Sequence, residues 1–202
     1  MQNPLPMRVV DGTGNLIVGY NQLITDDVYT CSDGQYTDET TCTAAGGIWS
    51  NQHLTGSHNI VAGEANNYSQ YGGLIVGRYS TINRRYASVS GGWGNRASGV
   101  ASSISGGQGS RASGDYSSIS GGWLNRVYGD RSSVSGGRLN RAYGDWSSIL
   151  GGNENTANGS YSSVAGGDGN TSGGDYSSVS GGHERSASGI HDWAAGSLFE
   201  DY

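Results

Sequence analysis

A single apolar residue returns every fifteen positions through the second half of the chain: Val89, Ile104, Ile119, Val134, Ile149, Val164 and Val179. Serine flanks it and a Gly pair follows it, in a frame reading S-[VI]-x-G-G-x-x-N-x-A-x-G that is plainest from Ser88 to Gly99. Six positions after the Val or Ile stands Asn95, then Ser110, Asn125, Asn140, Asn155, Asn170 and Arg185. The Ala97 column and the Gly99 column follow at further offsets of two. Strict self-similarity at a fixed period is the signature of a stacked repeat. Alternation within the frame predicts two short strands per repeat, with Val/Ile inward on one and Asn and Ala inward on the other. Glycines at fixed offsets supply positive φ where the chain reverses. The prediction is an all-β solenoid with 14–15-residue coils.

Fainter copies extend the array. Leu74-Ile75-Val76-Gly77 stands fifteen before Val89, Ile60-Val61-Ala62-Gly63 fourteen before that, and Leu16-Ile17-Val18-Gly19 has the same form. Downstream, Trp193-Ala194-Ala195-Gly196 follows Val179 by fourteen, the step changing in the link between the turn Gly and the next apolar residue. About eleven coils result, a rod on the order of 50 Å long at about 4.8 Å per coil. The expected organisation is an N-terminal coil over 1–24, an insertion over 25–55 and the repeat array over 56–202.

Composition explains why the coils need neighbours. Leu, Ile, Val and Phe hold only 32 of 202 positions, whereas 37 are Gly and 31 Ser. Such scarcity borders on disorder, but a net charge of only −6 and 18 Trp and Tyr residues oppose that reading. One coil offers its interior a Val or Ile, an Ala and an Asn, which at about 25 cal/mol per Å² offsets little ordering entropy. Stacking stabilises each repeat within an array, and an oligomer would stabilise it further.

Several function classes fall away. No run of eighteen apolar residues is present, so no membrane insertion by this segment is expected. Without a basic region leading into an apolar one, any secretion signal is expected outside these residues. Zero Lys and scattered Arg argue against nucleic acid. His53, His58, His183 and His191 lack metal-ligand spacing, and no Ser stands in a nucleophile elbow. Neither an enzyme nor a cofactor or metal is expected.

The columns resemble the head repeats of trimeric autotransporter adhesins of the YadA type, whose frame is roughly S-V-A-I-G-x-x-A-x-A-x-G with a 14-residue step. Val89-Ser90-Gly91-Gly92 falls on V-A-I-G, and Asn95, Ala97 and Gly99 fall on A, A and G. Leu16-Ile17-Val18-Gly19 and Leu74-Ile75-Val76-Gly77 match more closely. The resemblance spans about 170 residues. It implies a left-handed parallel β-roll assembled as a homotrimer, extracellular, on a bacterial cell surface. The step here is mostly fifteen, and neither a β-barrel anchor nor a heptad stalk is visible. The other settings are therefore a fragment of a longer fibre, or a head reused in a phage tail fibre or another trimeric appendage.

The insertion contains both cysteines, Cys31 and Cys42, and five acids, Asp26, Asp27, Asp33, Asp38 and Glu39, with no basic residue. A disulfide here would clamp a binding loop; the other reading is a tolerated hairpin with reduced thiols. Calcium at the acids lacks EF-hand spacing. Tyr29, Asp33, Tyr36 and Trp49 are its candidate ligand residues. On the coils the candidates are Trp93, Trp123, Tyr116 and Trp146, able to stack on sugars or on neighbouring coils. Arg96, Arg111, Arg126 and Arg141 are expected to face Asp115, Asp130, Asp145 and Asp175, pairing between coils or binding polyanions. The functional expectation is an adhesin or fibre head holding a host or prey glycan or matrix protein multivalently. The alternatives are a non-adhesive spacer and, from the Ser88/Ser90-type hydroxyl array, an ice-binding solenoid.

Overall fold

The computed structural model describes residues 14–18, 29–31, 38–46, 49–50, 54 and 56–196. They form a parallel β-solenoid with two sheets. The first holds eleven strands, from Leu16–Val18, Ile60–Glu64 and Leu74–Arg78 through Ser88–Val89 and its successors to Trp193–Ala194. The second holds nine, from Asn67–Tyr68 and Thr81–Ile82 through Arg96–Ala97 to Ser186–Ala187. About nine coils therefore carry both sides, and the end coils show one strand each.

Most coil-to-coil hydrogen bonds run along the rod. Ser88 donates to the Ser102 carbonyl at 2.9 Å and Arg96 to that of Ser110 at 2.8 Å, a pattern repeated in every later coil. A lone coil would leave these groups unpaired, which is why the unit is stable only in an array. The core is two facing columns. Val61, Ile75, Val89, Ile104, Ile119, Val134, Ile149, Val164 and Val179 come from the first sheet. Tyr68, Ile82, Ala97, Ala112, Val127, Ala142, Ala157 and Ala187 come from the second, all at most 2% exposed.

Register corrects two alignments made on the sequence. Ile75, not Leu74, pairs with Val89, and Ile17 pairs with Val61, so the first member of each Leu-Ile-Val triplet points outward. At the far end Ala194, not Trp193, follows Val179, fifteen residues on. The change of step thus lies upstream, in the other turn. Ile75 to Ile82 is seven residues and Val89 to Ala97 is eight, although each pair spans the same two sheets. Gly77 held the two frames together in sequence, while alternation on the strand decides which residue is inward.

The Asn column, placed inward from its pattern, does more than fill space. Asn140 Nδ2 donates to Gly136 O at 2.9 Å in its own coil and to Gly152 O at 3.0 Å in the next. Its Oδ1 accepts from Asn155 N at 3.0 Å. Asn125, Asn155 and Asn170 repeat the arrangement, and Ser80 and Ser110 substitute with a hydroxyl that accepts from the next coil's Asn N–H. Each side chain closes a turn and ties it to its neighbour, satisfying backbone groups that the buried turn would otherwise orphan.

The Gly99 column works differently from the expectation of positive φ. Its members lie outside the left-handed region. A Cβ at Gly114 would instead run into the carbonyl oxygen of Gly129 in the next coil, and the same holds along the column from Gly99 to Gly174. Close backbone stacking, not turn conformation, requires glycine there. The left-handed position of that turn is held by Tyr86, Ala101, Tyr116, Arg131, Trp146, Tyr161, Tyr176 and His191, with φ between 52° and 63°.

Candidate binding surfaces

Each turn edge carries a ladder of exposed side chains, one per coil. On the left-handed column the rings stack along the rod. Trp146 and Tyr161 lie 6.0 Å apart and 5° from parallel, Tyr161 and Tyr176 5.0 Å and 2°, and Tyr176 and His191 5.0 Å and 22°. The Arg131 guanidinium fills the preceding place, 5.4 Å from the Tyr116 centroid and 4.9 Å from that of Trp146. Tyr116 and Trp146, two candidates from sequence, are thereby joined through a cation held between their faces. Parallel stacking covers ring faces and leaves edges to solvent, so this stretch favours coil-to-coil cohesion over face-on contact with sugars.

The opposite edge carries Arg78, Trp93, Gln108, Trp123, Arg138, Asn153, Asp168 and His183, bridged coil to coil in that order. Trp93 meets Tyr79 edge-on at 6.3 Å, and Arg138 covers Trp123 at 4.7 Å. Glu64 pairs with Arg78 at 3.1 Å and Asp168 with His183 at 3.1 Å, all well exposed and so individually weak. Trp93 and Trp123 remain 48% and 38% exposed.

The Asp column does not face the Arg ladder as expected. Its carboxylates take backbone N–H groups of the preceding coil: Asp115 from Val100 at 2.8 Å, Asp130 from Asp115 at 2.7 Å, Asp145 from Asp130 at 2.8 Å and Asp175 from Ser160 at 2.8 Å. The Arg ladder lies in register on the second sheet, where Arg96 and Arg111 donate Nε to Ser98 and Ser113. Beside it Tyr128 and Tyr143 stack at 4.9 Å.

The insertion lies between Val18, which pairs with Ala62, and Leu54, which bridges Tyr68. Within it Thr30–Cys31 pairs antiparallel with Trp49–Ser50, and a short helix spans Glu39–Ala44. Asp38 caps that helix, accepting from Thr41 N at 2.9 Å and from the Thr41 hydroxyl at 2.6 Å, and these bonds hold its carboxyl below the usual range. Cys42 is fully buried and disulfide-bonded. Tyr29 is exposed and Trp49 half-buried. Asp33 and Tyr36 lie outside the described residues, as does the side chain of Cys31. Among the described residues no three His, Cys, Asp or Glu side chains come together, and no helix is long and apolar enough to cross a membrane.

Sequence reasoning missed one feature of the first edge. A cleft of about 380 Å³ is lined by Gln70, Arg84, Arg85, Val100 and Asp115, beside the place where Ala101 interrupts the ring column. The signal was present as Tyr86, Ala101 and Tyr116 at steps of fifteen. Compared with known proteins, the chain matches no protein-family model and no curated sequence.

Proposed function

We propose that the chain is an attachment module of an extracellular fibre, a left-handed roll that packs as a homotrimer and holds a glycan or matrix protein of a host or prey surface. The observation that carries this reading is the rod itself: similar coils presenting exposed aromatic residues along both turn edges, and an Arg ladder on the second sheet, at a fixed spacing. Such a surface repeats weak contacts, and repetition within one rigid body raises overall affinity through effective concentration. A disulfide-bonded Cys42 fits an oxidising setting such as a bacterial surface or a phage-type appendage. The frame shared with YadA-like heads favours three chains, and the exposed Leu16, Val18 and Ile60 on the first sheet supply an apolar face for them.

A structural spacer is the second reading, favoured by the face-to-face ring stack, whose faces are spent on cohesion. One experiment separates them. The purified chain is sized by light scattering and applied to immobilised glycans and matrix proteins. A mass near three times 20.9 kDa with retention on at least one surface supports attachment. A trimer retained by none is a spacer, and a stable monomer removes the assembled roll.

A further inference from the structure

The left-handed column lacks a ring at two places, Ala101 and Arg131. Trp146, Tyr161, Tyr176 and His191 cover one another, and Arg131 is held between Tyr116 and Trp146. Tyr86 and Tyr116 stand two coils apart in the same column, with φ 62° and 58°, and between them lies Ala101 with φ 52°. Coils rise by about 4.8 Å, so the two rings are separated by about 10 Å along the rod. A ring held between two others needs about 9 Å, twice the shortest usual centroid spacing of about 4.5 Å. The neighbouring gap of the same width already holds a flat group, the Arg131 guanidinium. Tyr86 and Tyr116 are 57% and 58% exposed; Tyr86 meets Tyr71 edge-on at 5.6 Å, and among the described residues no ring stacks on either from the Ala101 side.

The cleft of about 380 Å³ lies alongside this gap, and Arg85, Val100 and Asp115 are the residues just before Tyr86, Ala101 and Tyr116. Its volume falls in the range of small-ligand sites. Arg84 and Arg85 line it, and neither enters an ion pair among the described residues. Two cations beside the slot oppose a guanidinium or ammonium guest and favour an anion. The Gln70 amide and the Asp115 carboxylate add partners for hydroxyl groups.

From this juxtaposition we infer that the Tyr86–Ala101–Tyr116 gap and the Arg84/Arg85 cleft form one subsite for an acidic pyranose of a polysaccharide. The sugar's C–H faces stack between the two rings, and its carboxylate or sulfate meets the two arginines. A stacked nucleobase with its phosphate shares part of this chemistry. Single-stranded nucleic acid, however, needs a basic track along several nucleotides, and here two arginines stand in a chain of net charge −6 without Lys. The inference rests on the attachment reading and names its ligand class.

Titration calorimetry on the whole chain tests it with hexasaccharides of polygalacturonate, hyaluronan and heparin, with maltohexaose as the neutral control and hexathymidylate as the nucleic-acid control. At least one acidic hexasaccharide is expected to bind once per chain, ten-fold or more tighter than maltohexaose and tighter than hexathymidylate. Arg84→Gln with Arg85→Gln weakens that binding at least ten-fold. Ala101→Tyr, which completes the stack with a residue the column accepts elsewhere, abolishes it while the thermal midpoint holds or rises. The subsite is overturned if no acidic hexasaccharide binds, if hexathymidylate binds tighter, or if either variant binds as the parent does. A chain that still adheres to matrix proteins after Ala101→Tyr, with no acidic sugar bound by the parent, loses this subsite but keeps the attachment reading.

Discussion

The coils before residue 88 and those after it solve one problem with different chemistry. The early coils place Tyr68 and Ile82 opposite Val61 and Ile75, and bury Ala87 in the returning turn. The late coils place Ala opposite Val or Ile at most levels and bury Ser102, Ser117, Ser132, Ser147, Ser162 and Ser177 where Ala87 stood. They also carry one more residue in the first turn. Outside, Ile60, Leu74 and Val76 give way to Ser88, Ser90 and their copies. Stability has moved from apolar burial to hydrogen bonds and ring stacking. A coil with so thin a core holds together because its strand and turn backbone and its Asn side chains bond to the next coil, each bond worth about 1 kcal/mol net. The Ser102, Ser117 and Ser177 hydroxyls close their own turns, while those of Ser147 and Ser162 are buried without a partner among the described residues. Regularity is the condition for that, since a side chain bonds to its neighbour's copy only if the copy is in place.

The difference can be broken most visibly on the outer face of the early coils. If the proposed trimer forms, Ile60→Ser with Leu74→Ser is expected to take it to single chains by light scattering, whereas Ser103→Ala with Ser118→Ala leaves it intact. Retention of the trimer in the first variant would move the interface elsewhere.

Next come the two cores. Ile82→Ala should cost about 2–5 kcal/mol by chemical denaturation, as a cavity opens in an apolar coil. The converse change, Ala112→Ile, overfills a late coil and should cost about 1–3 kcal/mol. If either is neutral, the two coil types do not differ in width as their residues imply.

Glycine sharpens the contrast between close stacking and mere turn. Gly114→Ala drives a Cβ into the Gly129 carbonyl and should cost roughly 3 kcal/mol, at the upper end for overpacking. At Gly121 an added Cβ meets nothing within 4 Å, so Gly121→Ala should be neutral or stabilise by about 0.4–1 kcal/mol. Equal thermal midpoints for the two variants would contradict the stacking argument. Smaller still is Tyr161→Ala, which removes two stacking contacts at an exposed position and should cost about 1 kcal/mol.

The least effect belongs to the insertion. Asp38 is bonded as a carboxylate, so its folded pKa lies below the unfolded value. Its stabilisation of the helix is present above the unfolded pKa and is lost as pH falls through the folded one. Amide chemical shifts of Thr40 and Thr41 should report this acidic transition while the coils stay unchanged. Asp38→Asn should remove the titration.

The fifteen-residue period, the two strands per coil and the inward Val/Ile, Asn and Ala columns were legible in the chain because each is a local pattern repeated many times. Periodicity averages away the ambiguity of any single short strand. What it left open depends on which atoms of one coil meet the next. The inward residue of Leu74-Ile75-Val76 is chosen by strand register, the Gly114 column by the carbonyl above it, and the Asp115 column by the preceding coil's backbone N–H groups rather than by arginine. Likewise, Ala101 is an unremarkable residue in sequence and becomes a gap between Tyr86 and Tyr116 only when three coils are stacked. Composition and spacing determine that the coils form and, in the regular fifteen-residue coils, what faces inward, because burial acts on each residue separately. The stacked backbone alone decides what each polar and aromatic side chain touches, because those contacts join residues of different coils at distances of a few ångström.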